Sequence, residues 1–267
     1  MKTKKLLASV LIMGAATPLF AATYSFTDSF YGASYGNTKS YSAPDGPNVT
    51  VSAWSNTGSG GTIQTAYLDG YGSSGLGIEN RNETGSSPQH SIDNATNYDV
   101  LLFVFDQAVT LDSVRLGWAY NDSDVALAAY TGGSSGYNPT TSFSGATFSS
   151  LLADAPVNGG WDLIGNYSNL CATSTGNSTS SCTTTAVNSA DVASRFWLVG
   201  AAGFAGGKLS NGSSLDTKGD YFKLKQLAVS VPPGSPPPST GIPEPTSIAL
   251  IGVALAGLIG VRRRNRA

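Results

Sequence analysis

Histidine occurs once in this 267-residue chain, cysteine twice and methionine twice, and charged residues make up only 12%. Each scarcity excludes something. His90, in "SPQHSIDN", is the only imidazole, and no G-x-S-x-G elbow supplies a nucleophile for it, so a Ser-His-Asp hydrolase has no basis here. The H-E-x-x-H pattern of zinc proteases is absent as well. His90 therefore reads as a surface or turn residue. Cys171 and Cys182 with one distant histidine are too few for a zinc centre. No stretch of the body sustains a helical period, and no repeat recurs at a fixed spacing. Positive charge is scarce outside the ends. Residues 23 to 241 hold eight basic side chains against sixteen acidic ones, a net charge of −8. Phosphate binding needs clustered cations, so nucleic acid is excluded as a partner.

The two ends are informative. Lys2, Lys4 and Lys5 precede an apolar or small-residue run, Leu6 to Ala16, which Pro18 breaks ahead of Ala21 and Ala22. That order is the order of a secretory signal peptide, here residues 1–22, handled by the Sec export machinery. Cleavage after Ala21 or Ala22 leaves Leu19 or Phe20 three residues upstream, where a small residue is usual; an uncleaved anchor is the alternative. An exported chain meets an oxidising compartment. Cys171 and Cys182, in "NLCATSTGNSTSSCTTT", are thus expected to pair and close a polar loop. Closing so short a loop stabilises the fold by about 2–3 kcal/mol in the chain-entropy model.

At the other end, "VPPGSPPPSTG" (residues 231–241) is a stiff Pro/Gly/Ser linker. After it come Pro243, Glu244 and Pro245, then the uncharged run Ile248 to Val261, then Arg262, Arg263 and Arg264. As a single helix the run covers roughly 21 Å, against a bilayer core of about 30 Å. It enters a membrane but makes a marginal permanent anchor. The arginines hold the cytoplasmic side, which puts residues 23–241 outside. Gly252, Ala256 and Gly260 form a small-residue row along which another membrane helix can approach closely.

A linker, a short proline motif, a marginal apolar helix and a basic stop together resemble the PEP-CTERM sorting domain of Gram-negative bacteria, here residues 242–267. The resemblance implies recognition and processing by an exosortase, a membrane-embedded cysteine protease. It also implies transient residence in the inner membrane, followed by release to the cell surface or the extracellular matrix.

The body, residues 23–230, is long enough for one sizeable β domain. "YDVLLFVF" (residues 98–105) is a continuous apolar run, as in a strand buried on both faces. In "VTLDSVRLGW" the alternation slips at Asp112-Ser113, which marks a turn or bulge. "TYSFT", "NVTVSAW", "TIQTAYL", "ALAAY", "WDLIGNY", "RFWLVGA" and "FKLKQLAVSV" complete the strands. The fold class is all-β: a single β-sandwich or jelly-roll-like domain between the signal peptide and the C-terminal hydrophobic helix. "NSADVAS" (residues 188–194) reads as one short helix capped by Ser189.

Two groups of residues carry candidate chemistry. Asp93, Asn94, Asp122 and Asp124 flank the strand pair 98–105 and 109–118, so one sheet end can collect them. They stand as plain turn formers, as oxygen ligands of a structural calcium ion, or, for Asp122 and Asp124, as an acid–base pair acting on a glycosidic bond. Calcium is the only cofactor the chain suggests. Trp161, after "NGG", and Tyr130, before "TGGSSG", read as exposed rings able to stack on sugar. "GLGIEN", "HSIDN", "NDSDV", "WDLIGNYSN" and "SRFWLVGA" add a fainter likeness to the bodies of exosortase-dependent surface proteins. That likeness implies a surface or matrix protein and no enzymatic activity. Two functional readings follow: a non-enzymatic protein of an exopolysaccharide biofilm matrix, or a carbohydrate-binding, lectin-like module that uses calcium.

Overall fold

The structure is a computed structural model that describes residues 21–44, 46–83, 88, 90–132, 136–153 and 160–232. Residues 1–20 of the signal segment, the Pro243–Glu244–Pro245 motif, the run 248–261 and Arg262 to Arg264 lie outside the described residues, whereas Ala21 and Ala22 belong to β1. In chain order the strands are β1 (Ala21–Ser25), β2 (Ser29–Phe30), β3 (Thr38–Tyr41), β4 (Val49–Ser55), β5 (Gln64–Thr65), β6 (Tyr67–Tyr71), β7 (Leu76–Glu79), β8 (Ile92–Asp93), β9 (Asp99–Asn121), β10 (Val125–Tyr130), β11 (Trp161–Tyr167), β12 (Ser178–Thr179), β13 (Thr184–Ala186), β14 (Ala193–Ala201) and β15 (Asp220–Ser230). Two short helices, α1 (Pro139–Phe143) and α2 (Phe148–Leu152), separate β10 from β11. Strand accounts for 49% and helix for 8% of the described residues, so the domain is all-β, as its sequence predicts.

The organising element is β9. Its first half pairs on one side with β4, Val51 opposite Phe103, and on the other with β14, Leu198 opposite Leu102. Its second half pairs with β15 and, on the far side, with β13 and β12. One strand therefore belongs to two layers, and the hydrogen bonding runs through both as a single antiparallel sheet. The two strands expected at 98–105 and 109–118 are one. The bulge expected at Asp112-Ser113 is present: Ala228 faces Ser113 and Val229 faces Leu111, leaving Asp112 unpaired.

Successive side chains on a strand point to opposite faces. On β9, Leu101, Phe103 and Phe105 enter the main core with Val51, Trp197, Leu224 and Leu227. Val100 and Leu102 enter a second cluster with Trp54, Leu198 and Ala126. The helices cover this second face with Phe143, Phe148 and Leu151. In α2, Thr147 accepts from the Ser150 amide and Ser150 Oγ accepts from the Thr147 amide, a reciprocal capping box. The helix expected at residues 188–194 is instead a turn. Asn188 and Asp191 take positive φ (54° and 52°), which a right-handed helix does not allow. The Asn188 amide bonds both the N–H and the C=O of Val192 and so replaces helical backbone bonds.

The chain enters and leaves the domain on neighbouring strands. β1 is antiparallel to β15, with Ala21 opposite Ser230 and Ala22, which is buried, opposite Val229.

Close backbone approach fixes two glycines. A Cβ on Gly117 would lie 2.4 Å from the Ser74 carbonyl oxygen, and one on Gly75, at φ 102°, 2.2 Å from that of Leu224. Gly145 also has positive φ, but open space surrounds it. Urea unfolding is expected to show Gly75→Ala costing more than about 2 kcal/mol, through overpacking added to backbone strain, and Gly145→Ala about 1 kcal/mol, through strain alone.

Candidate functional site

The polar chemistry gathers where β9 hands over to β10 and where β15 begins. Asn121 has φ 63° and turns the chain sharply, so Asp122 and Asp124 fold back towards Asp220, the first residue of β15. Oxygens of Asp122, Asp124 and Asp220 lie within 4.8 Å of one another, and all three residues are buried. Each is held by donors. The Ser123 amide donates to Asp122 Oδ1 at 2.8 Å, the Asn169 amide to Asp124 Oδ1 at 2.8 Å, and the Asp124 amide to Asp220 Oδ1 at 2.7 Å. Asn94 Nδ2 donates to Asp220 Oδ2 at 2.7 Å while Asn94 Oδ1 accepts from the Asp220 amide. Lys218 Nζ sits 3.3 Å from Asp122 Oδ2 and 3.4 Å from Asp216 Oδ2. A cavity of about 420 Å³ opens beside Asp124, Asp216, Lys218 and Asp220.

Crowding negative charge in a desolvated place favours the protonated forms. Burial pushes the Asp220 carboxyl up to about 8, with Asp124 and Asp122 adding to the rise. Burial likewise takes Asp124 to about 6, reinforced by Asp122 and Asp216. A proton, a lysine ammonium or a bound cation would each relieve the same repulsion. Lys218 supplies that relief at the Asp122 edge.

Three of the four expected ligands, Asn94, Asp122 and Asp124, come together here. Asp93 does not. It turns away into a second carboxylate group with Glu83 and Asp99. Asp216, Lys218 and Asp220 complete the first group from "LDTKGD", a stretch the sequence reading passed over although its acids stand four apart. His90 sits in a turn at φ 62°, with Nδ1 3.2 Å from Glu79 Oε2.

The expected exposure of Trp161 and Tyr130 is corrected. Trp161 is wholly buried, edge-on to Phe143 at 5.4 Å, with Nε1 donating to the Tyr137 hydroxyl at 2.8 Å. Tyr130 stacks on Tyr137 with ring centroids 3.7 Å apart. The glycines near both residues suggested open loops; the segment carrying Tyr137, α1 and α2 covers the rings instead. The large hydrophobic side chains that do stand exposed among the described residues are Tyr31 (81%) and Tyr35 (38%).

Cys171 and Cys182 are bonded, as expected. The bridge braces the acidic site: the Cys171 amide donates to Ser123 Oγ, and Ser123 lies between Asp122 and Asp124. No helix among the described residues is long and apolar enough to cross a membrane.

Comparison with known proteins gives one match. The family profile for the PEP-CTERM protein-sorting motif covers residues 241–264. No curated protein and no solved structure matches the chain. The sorting motif marks an exported protein that passes through the membrane to the cell surface, with an exosortase as its processing partner.

The raised carboxyls give a signed pH dependence. Burial also brings Glu83 to about 8, with Asp93 contributing, and Asp93 to about 6. Such a group holds its proton more tightly folded than unfolded, where its pKa is about 4. Its contribution to stability is present at low pH and is lost as the pH rises through the folded value. Lys223, lowered by burial to about 8, slopes the opposite way only above that value. Differential scanning fluorimetry should therefore give a Tm at pH 5.5 at least about 5 °C above that at pH 8.

Proposed function

We propose that this exosortase-sorted protein is a non-enzymatic component of the cell surface or extracellular matrix of a Gram-negative bacterium. The Sec machinery exports it, its C-terminal helix holds it briefly in the inner membrane, and processing near Pro243–Glu244–Pro245 frees it to associate with the exopolysaccharide of a biofilm. The observation that carries the reading is the sorting motif at residues 241–264. The non-enzymatic part draws support from the carboxylates themselves. Asp122 and Asp124 are 1% and 3% exposed and are tied to backbone amides, an arrangement that suits structure better than proton transfer to a substrate.

A carbohydrate-binding reading has one observation in its favour, and it relocates the surface. Tyr31 stands edge-on to Tyr71 with centroids 6.2 Å apart, and Tyr35 lies 4.2 Å from Tyr67 with the Arg81 guanidinium 4.0 Å from its ring centroid. Exposed rings with a cation beside them suit the C–H faces and hydroxyls of sugars.

Two measurements separate these statements. In cells lacking the exosortase, intact-mass analysis is expected to find the chain with its tail uncut and in the membrane fraction. Processing that continues unchanged there would refute the sorting route. In a pull-down on exopolysaccharide from the host, the lectin reading expects saturable binding that falls at least about tenfold in Tyr31→Ala, a loss of about 1.4 kcal/mol. Absence of binding leaves the structural role.

A further inference from the structure

Two members of the second carboxylate group, Glu83 and Asp93, line a cavity of their own, and Asp99 is buried beside them. A space of about 340 Å³ is lined by Asn80, Asn82, Glu83, Asp93, Asn97 and Tyr221 among others. Oxygens of Glu83, Asp93 and Asp99 approach within 4.8 Å of one another. Calcium binds oxygen at about 2.3–2.6 Å, so two oxygens facing each other across one ion stand about 4.6–5.2 Å apart. The spacing fits. Asp99 is fully buried, Asp93 is 6% exposed, and the Glu83 side chain is 10% exposed.

Acidic residues alone would not make a site. The independent observation is Ser55. It stands directly opposite Asp99 in the β4–β9 ladder, so both side chains leave the same face. It is fully buried, and its Oγ lacks a hydrogen-bond partner. The hydroxyl is a weak donor to the Asp99 carboxyl, short of full hydrogen-bond geometry, and its lone pairs face no donor. A buried hydroxyl left in that state calls for a partner.

The carboxylates keep acceptor capacity. Asn80 Nδ2 donates to Glu83 Oε1 and to both Asp99 oxygens, the His90 amide to Glu83 Oε2, and the Ala95 amide and Ser91 Oγ to Asp93. Each carboxylate oxygen has two lone pairs, and these bonds leave several unused. Positive charge is short. Among the described residues the one ionic neighbour of the three is His90, with Nδ1 3.8 Å from Glu83 Oε2. Lys223 attracts Asp93 and Glu83 through space but forms no ion pair with either; its ammonium lies 4.3 Å from the Tyr71 ring centroid and 4.6 Å from that of Trp118. The Asp122 group has Lys218 in direct contact, whereas no lysine or arginine among the described residues touches the carboxylates of the Glu83 group.

We propose that Glu83, Asp93 and Asp99 bind one hard divalent cation, calcium in preference to magnesium, where Glu83 and Asp93 line this cavity, with Ser55 Oγ and water completing the shell. The preference follows from the donors. They are oxygens only, set irregularly by a loop and two strands, and magnesium demands a near-ideal octahedron at shorter distances. This site is independent of the sorting route.

The test uses the full chain in detergent, stripped with EDTA. Calcium chloride is titrated by calorimetry, and terbium chloride by luminescence excited through tyrosine, since Tyr221 lines the cavity. Wild type is expected to bind calcium saturably, to bind magnesium at least about tenfold more weakly, and to melt higher with calcium. Glu83→Gln is expected to lose the site: one fewer calcium bound, no terbium emission from it, and no calcium-dependent change in Tm. Without calcium this variant should melt at or above wild type, because it takes one of three crowded carboxyl groups away with little change of shape. Asp106→Asn, an exposed acid elsewhere, should behave as wild type. If Glu83→Gln does not fold, Asp93→Asn is read in the same way. Calcium binding unchanged in both variants, or no binding in wild type, overturns the proposal.

Discussion

One strand has to satisfy two layers, and the rest of the structure follows from that. β9 runs from Asp99 to Asn121 and gives its first half to one layer and its second half to the other. A residue inserted or deleted in it would shift every side chain beyond to the wrong face. The bulge at Asp112 is where the strand passes between partners, and it is itself tied down: the Val187 amide donates to the Asp112 carbonyl, and Ser230 Oγ to its carboxylate. Because the first half of β9 is apolar on both faces, a second cover is required. The chain supplies it late, from α1, α2 and the aromatic set of Phe143, Trp161 and Tyr137.

The same strand sets the site. Asp99 lies at its start and Asp122 just beyond its end, and each draws carboxylates from other parts of the chain. The domain thus buries acids at both ends of its longest element. The two groups solve the same electrostatic problem differently. The Asp122 group has a lysine ammonium at its edge. The Glu83 group has amide donors and a cavity, while Lys223 is clasped between aromatic rings nearby.

Much of this was legible in the residues. The double-faced burial of "YDVLLFVF" and the slip at Asp112-Ser113 are local signals, and both appear in the fold. The disulfide was readable because only two cysteines exist. The candidate site was legible in part. Asp93 and Asn94 are adjacent, and adjacent residues in extended chain point opposite ways. That alternation was the available sign that only one of them could join Asp122. Asp220 pairs across nearly a hundred positions, and no local pattern announces such a partner. Trp161 and Tyr130 misled because their glycine neighbours describe the backbone, whereas their burial depends on two five-residue helices too short to show a period.

The pairing of β1 with β15 has a mechanical consequence. The first strand and the last lie side by side, and β15 is held on its other flank by the length of β9 from Thr110 to Asn121. A pull directed along β15 from its Ser230 end loads those rungs together, in shear, where a pull across the sheet would open them one at a time. For a body delivered to the outside of a cell through its C-terminal segment, the point of traction is a strand paired along both flanks.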